Sequence, residues 1–158
     1  MSGKKSVAIG KRLPELKGET DSGDTLDLSS LLGKWVVIYF YPRDATPGCT
    51  TEAGDFRDLH GRFLEHNCEI LGISRDSVAS HARFRAKQEL PFELIADTDE
   101  TWCTAFDVIH EKMLYGKRHL GVVRSSFLVD PEGILRAEWR AVKVPGHAAA
   151  VLEQLARV

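Results

Sequence analysis

No two cysteines in this chain stand close enough to form a local redox couple. There are three, Cys49, Cys68 and Cys103, an odd number at wide spacings. That excludes a C-x-x-C exchange motif and a disulfide framework. Long apolar runs are also missing. The longest, Trp35 to Tyr41, is far too short to cross a bilayer. The first residues, MSGKKSVAIGKRLPEL, are basic but lack the apolar stretch of a signal peptide, so a cytoplasmic protein with no membrane partner is expected. Neither sign of charge dominates: 21 Lys and Arg face 23 Asp and Glu, for a net charge of −2. The basic residues are scattered, which gives no support to a nucleic-acid partner. There is no G-x-G-x-x-G, no Walker loop and no H-E-x-x-H among the six histidines, so neither a metal nor a cofactor is expected. In a reducing compartment the three cysteines are thiols, and any function lies in thiol chemistry or elsewhere.

What is present reads as one globular domain over residues 1–158. Apolar residues make up 43 % and charged residues 28 % of the chain, ordinary values for a chain long enough to bury its own core. The run Trp35 to Tyr41 predicts a strand buried on both faces. From Thr50 to Leu64, the residues Ala53, Phe56, Leu59, Phe63 and Leu64 fall on one helical face. EILGIS (Glu69–Ser74) is a second strand. Ser77 to Gln88 predicts a helix with Val78, Ala82, Phe84 and Arg85 near its seam, stopped by Leu90-Pro91. Phe92 to Ala96 is a third short strand. Asp97 and Glu100 resemble a capping box for a helix carrying Trp102, Cys103 and Phe106. Lys112 to Lys117 reads as a loop, with Tyr115 as a surface residue. Val122 to Val129 and Ile134 to Trp139 predict a hairpin about Pro131-Glu132-Gly133, and His147 to Arg157 a closing helix. The N-terminal segment adds a small hairpin. Strands alternating with helices, then a hairpin and a helix, argue for an α/β fold: a three-layer α/β/α sandwich with a mixed sheet.

One cysteine sits at a junction with chemical meaning. In Thr46-Pro47-Gly48-Cys49, Thr46 suits an N-cap and Pro47 the first helical position. Cys49 then lies in the first turn, where unpaired backbone N–H groups and the helix dipole favour an anion. Reactive thiolates occupy such helix starts. The preceding strand places the loop at the C-terminal edge of the sheet, where α/β proteins hold their chemistry.

Pro42, Thr46 and Cys49 fit P-x-x-x-T-x-x-C, and the chain thereby resembles the peroxiredoxins. The segment FYPRDATPGCTTE is similar to the bacterioferritin comigratory protein (PrxQ) branch. The likeness continues through EILGIS, PFELIAD, FDV, EKMLYGK, RSSFLVDPEG and WRAVKVPGH. It implies a thioredoxin-like fold and thiol-dependent reduction of hydrogen peroxide and organic hydroperoxides. Under this resemblance Cys49 is the peroxidatic cysteine, oxidised to a sulfenic acid. Thr46 bonds the peroxide and the sulfur, Pro42 shields the site from water, and Arg124 stands beside the thiolate. Glu52, taken as a first-turn acid, either orients Arg124 or complements the dipole.

The resemblance also implies a resolving cysteine at one of two places. Gly54 stands at one and Arg85 at the other. The expected cycle therefore uses one cysteine and an external thiol: thioredoxin, glutaredoxin with glutathione, or a small thiol. Cys68 and Cys103 read as buried filler. The alternatives are a two-cysteine cycle with Cys103 as resolving thiol, and a peroxide sensor that passes oxidation to a partner protein. A thioredoxin-like exchanger ranks lower for want of C-x-x-C. A monomer is expected.

Overall fold

The computed structural model describes residues 7–158. Seven strands form a mixed sheet in the order β2-β1-β5-β4-β3-β8-β9: β1 (Lys17–Thr20), β2 (Thr25–Asp27), β3 (Trp35–Phe40), β4 (Cys68–Ser74), β5 (Glu93–Ala96), β8 (Ser125–Val129) and β9 (Leu135–Trp139). Strands β3, β4 and β5 run parallel, and the remaining pairings are antiparallel. The small N-terminal hairpin is β1–β2. Two further strands, β6 (Ile109–Leu114) and β7 (Lys117–Val122), form a separate ribbon.

The apolar run at β3 becomes the central strand because alternate side chains enter two different cores. Val37, Tyr39 and Tyr41 face α1 (Pro47–Glu65), α2 (Val78–Gln88) and α4 (His147–Arg157), packing with Phe56, Phe63, Phe84, Val151 and Leu155. Val36, Ile38 and Phe40 face the opposite layer, which holds Trp102, Cys103 and Phe106 around α3 (Thr101–Ala105). These are the expected three layers of a thioredoxin-like α/β fold.

Several local expectations are corrected. Lys112–Lys117 is not a loop but the centre of the β6–β7 ribbon, turned by Tyr115 and Gly116, both at positive φ. That is the two-residue turn that suits strand twist. The stretch Val122–Val129 is not one strand: Val122 ends β7, and β8 starts at Ser125. No capping box forms at α3. Glu100 sits in the left-handed region with no side-chain cap, and Asp97 instead accepts hydrogen bonds from the backbone N–H of Trp102 (3.0 Å) and Cys103 (2.8 Å). On α2 the buried seam is His81 and Phe84, while Ala82 is exposed. Leu64, assigned to the buried face of α1, is also exposed.

Candidate active site: the start of helix α1

Strand β3 ends at Phe40, and the chain turns through Tyr41–Thr46 into α1. Thr46 occupies the N-cap position and Pro47 the first helical position. The Thr46 hydroxyl does not cap the helix. It donates to the Arg43 carbonyl at 3.0 Å, which tightens the loop and leaves the threonine oxygen free to accept. Cys49 follows in the first turn and is 2 % exposed.

The strand antiparallel to β3 supplies the cation. Phe40 pairs with Ser125, so Arg124, one residue earlier, arrives at the same sheet edge as the loop. Its carbonyl is anchored by the Val142 N–H at 2.9 Å. The guanidinium donates from Nη2 to Cys49 Sγ at 3.5 Å and from Nη1 to Glu52 Oε1 at 2.6 Å. Gly48 makes the approach possible: a Cβ there would lie 3.2 Å from Arg124 Nη2. Pro42, half-buried, lies at the start of the same loop.

Glu52 stands in the second turn, not the first; the first turn of α1 has no acid. Its side chain is buried, and Oε2 has no hydrogen-bond partner among the described residues. Burial pushes its carboxyl up to about 7, against the pull of Arg124. It is therefore an ion-pair partner poised near neutrality and not a surface acid complementing a dipole. The sequence places it one turn after Cys49, yet its pairing becomes visible only when Arg124, just before β8, reaches the start of α1.

A second network fixes the loop from behind. Asp44 accepts from Tyr41 (2.7 Å), Ser80 (2.8 Å) and His81 Nδ1 (2.7 Å), and His81 Nε2 donates to the Ile95 carbonyl (2.9 Å). The two His81 nitrogens thus tie the loop residue Asp44 to the end of β5. Burial raises the Asp44 carboxyl, but the His81, Tyr41 and Ser80 hydrogen bonds more than offset this and hold it below its ordinary range. Asp76, which accepts from the Asp44 N–H at 2.8 Å, brings a third potential metal donor close. Each of these groups is already engaged by hydrogen bonds. Sequence reasoning missed this network, since Asp44 and His81 share no local motif. His147 is likewise more than a helix start. It is buried, bonded to Ser126 at 2.7 Å, and lowered to about 4 by desolvation and by Arg124.

The two vacant resolving positions are occupied by other contacts. Arg85 donates from Nη1 to both Asp21 carboxylate oxygens, 3.1 Å to each, and from Nε to the Leu90 carbonyl. A Cβ on Gly54 would lie 3.3 Å from Arg57 Nη2. All three cysteines are free and buried. Cys103 packs in the core on the sheet face opposite Cys49. Cys68 shares the Cys49 face but pairs with Trp35, at the far end of β3, roughly 17 Å of strand away from Phe40.

A thiol at a helix start, touched by a guanidinium, on a thioredoxin-like sheet defines a class of thiol enzymes, and comparison with known proteins names it. Residues 9–138 match the AhpC/TSA family. Peroxiredoxin Bcp of Bacillus subtilis is 47 % identical, over 95 % of this chain and 96 % of that protein. A structure of Xanthomonas campestris Peroxiredoxin Q superposes with a TM-score of 0.86 at 52 % identity, covering 90 % of each chain. A cysteine-to-serine mutant of Xylella fastidiosa PrxQ gives a TM-score of 0.92 at 41 % identity, covering 97 % of this chain and 98 % of that one. The chain belongs to the AhpC/TSA family, as a peroxiredoxin of the Bcp/PrxQ type, and is a thiol-dependent peroxidase. Two Xanthomonas campestris structures carry serine at different cysteines. The spacing between those two, counted from Cys49, falls on Arg85.

Among the described residues, no helix is long and apolar enough to cross a membrane.

Proposed function

We propose that this chain reduces hydrogen peroxide and organic hydroperoxides at Cys49 through a one-cysteine cycle. The observation that carries the reading is the Arg124 guanidinium, shared between Cys49 Sγ and Glu52. The Cys49 thiolate attacks the terminal peroxide oxygen. The S–O bond forms, the O–O bond breaks, and the sulfur becomes a sulfenic acid. Arg124 donates to the sulfur and to the departing oxygen, where negative charge develops. The Thr46 oxygen, its own proton committed to Arg43, accepts from the hydroperoxide O–H. Pro42 keeps water from the sulfur. One Xanthomonas campestris relative has structures concerned with alkyl peroxide reduction activity, which supports organic hydroperoxides as substrates here.

The replacement of both usual resolving positions, and the location of Cys103 and Cys68, support an external thiol reductant. A disulfide needs Cα atoms within roughly 7 Å. The reading carries a monomer, checked by light scattering.

The test is intact mass under non-reducing conditions after one equivalent of hydrogen peroxide with dimedone present. One adduct, lost in Cys49→Ser and kept in Cys103→Ser, is the expected result. Loss of two hydrogens with no adduct would overturn the one-cysteine cycle. A sulfenic acid awaiting an outside thiol is also open to further oxidation. Progressive inactivation at excess peroxide is expected, read as a sulfinic mass at Cys49. Undiminished activity over many turnovers would count against the cycle.

A further inference from the structure

The β6–β7 ribbon brings a second cation to the site, one the peroxide chemistry above does not use. The Lys112 stem lies across Gly121: a Cβ there would come 3.1 Å from Cδ and 3.4 Å from Cε. The side chain ends with Nζ donating to the Val122 carbonyl at 2.6 Å. Val122 precedes Arg124 by two residues, so the ribbon delivers this ammonium to the edge where Arg124 enters. Burial and the repulsion of Arg124 and Arg75 disfavour its positive charge, while the Cys49 sulfur favours it.

Neighbouring cations have carboxylate partners: Arg124 has Glu52, Arg75 has Glu100 and Arg118 has Glu111. Among the described residues Lys112 has only a carbonyl, and Arg43, exposed on the loop before α1, pairs with no carboxylate. Lys112, at the edge where Arg124 enters, and Arg43, on the loop that leads to Cys49, are therefore cations without a carboxylate partner, an arrangement that attracts an anion.

We propose that Lys112 is a specificity-determining residue that selects an anionic low-molecular-weight thiol, one carrying a carboxylate, to reduce oxidised Cys49. The proposal rests on the one-cysteine reading. In the step it serves, the external thiolate attacks the Cys49 sulfenic sulfur. An S–S bond forms and the S–OH bond breaks. The hydroxide takes up the proton the thiol released and leaves as water. The incoming sulfur is oxidised and the Cys49 sulfur is reduced to a mixed disulfide, which a second thiol resolves. Lys112 and Arg43 hold the carboxylate of the incoming thiol while its sulfur reaches Cys49.

The experiment compares the full chain with Lys112→Gln and Lys112→Arg. Two ratios are measured at Cys49 by peptide mass: alkylation of the reduced protein by iodoacetate over iodoacetamide, and reduction of the oxidised protein by thioglycolate over cysteamine. Lys112→Gln should lower both ratios roughly fivefold, the size of one unit charge about 4 Å away across a water-like dielectric. Lys112→Arg should keep them. Unchanged ratios, or equal losses with both reagents of a pair, would overturn the proposal, since a merely structural role slows both alike. If oxidised Cys49 closes an internal disulfide, the one-cysteine reading fails and with it the choice of reductant. The alkylation ratio then still decides whether Lys112 sets the charge preference of the site.

Discussion

Three thiols are buried to the same degree in this chain, and their surroundings separate them. Cys49, Cys68 and Cys103 are 2 %, 1 % and 0 % exposed. Cys49 meets a guanidinium. Cys68 is pushed up to about 12 by desolvation, with Glu69 adding to the rise. Cys103 is pushed higher still, by desolvation and then by the Asp97 carboxylate. Burial disfavours any thiolate. The sign of the nearest charge then decides whether a buried cysteine is a nucleophile or inert filler.

The largest expected effect breaks the comparison at its source. Cys49→Ser should abolish peroxidase turnover, while Cys68→Ser and Cys103→Ser keep it, measured as peroxide consumption with excess thiol. A silent Cys103→Ser variant that still folds would move the chemistry to the other face of the sheet. Next comes the guanidinium. Arg124→Gln removes a donor aimed at developing charge, a loss typically worth about 10²–10³ in rate. Single-turnover oxidation of Cys49 reads it, and a loss below tenfold would mean that the helix start alone activates the sulfur.

A smaller effect belongs to Glu52. Its carboxyl, raised to about 7, ionises across the neutral range. Above that pH the carboxylate draws Arg124 toward itself, and below it the guanidinium is freer to face the sulfur. The rate of Cys49 oxidation should carry an inflection near pH 7 that Glu52→Gln lacks, a several-fold effect. Stability gives an independent readout. The folded state holds this proton more tightly than the unfolded chain, so the contribution is complete below the ordinary carboxylate pKa and is lost as pH rises through about 7. The melting temperature of the parent should fall over that window relative to Glu52→Gln. Parallel curves would place the titration elsewhere.

Much of this site was legible in the sequence because its parts are local. Thr46, Pro47 and Cys49 are a helix start written in consecutive residues, and the run at β3 has the length and apolarity of a strand buried twice. The P-x-x-x-T-x-x-C pattern, and the likeness it carries, supplied Arg124, which no local rule could assign. The ribbon was not legible. His110, Glu111, Lys112, Lys117, Arg118 and His119 mask any alternation of faces, since the ribbon stands off the main sheet and most of its side chains are solvated. Glu52 was visible as an acid but not as a buried ion-pair partner, because its partner Arg124 comes from far along the chain. The Asp44–His81 pair joins two elements with only apolar and turn residues to announce either end. The capping box failed for a conformational reason. Glu100 takes a left-handed backbone and turns to Arg75 at 3.0 Å, leaving Asp97 to hold the α3 amides alone.

That same Asp97 allows the finest test of the comparison. Asp97→Asn removes the negative charge beside Cys103 while keeping the size of the side chain. It costs stability, because an amide accepts from only one of the two N–H groups of Trp102 and Cys103, a loss of about 1–2 kcal/mol. The weaker fold opens more often and on that ground alone labels Cys103 faster. Native-state labelling with a neutral disulfide reagent, measured beside the unfolding free energy, separates the two causes. If charge sets thiol character, Cys103 in Asp97→Asn should react a few-fold faster than its lost stability accounts for, with the Cys68 rate tracking stability alone. If both thiols follow stability alone, burial by itself silences them, and the Asp97 carboxylate serves α3 only as its cap.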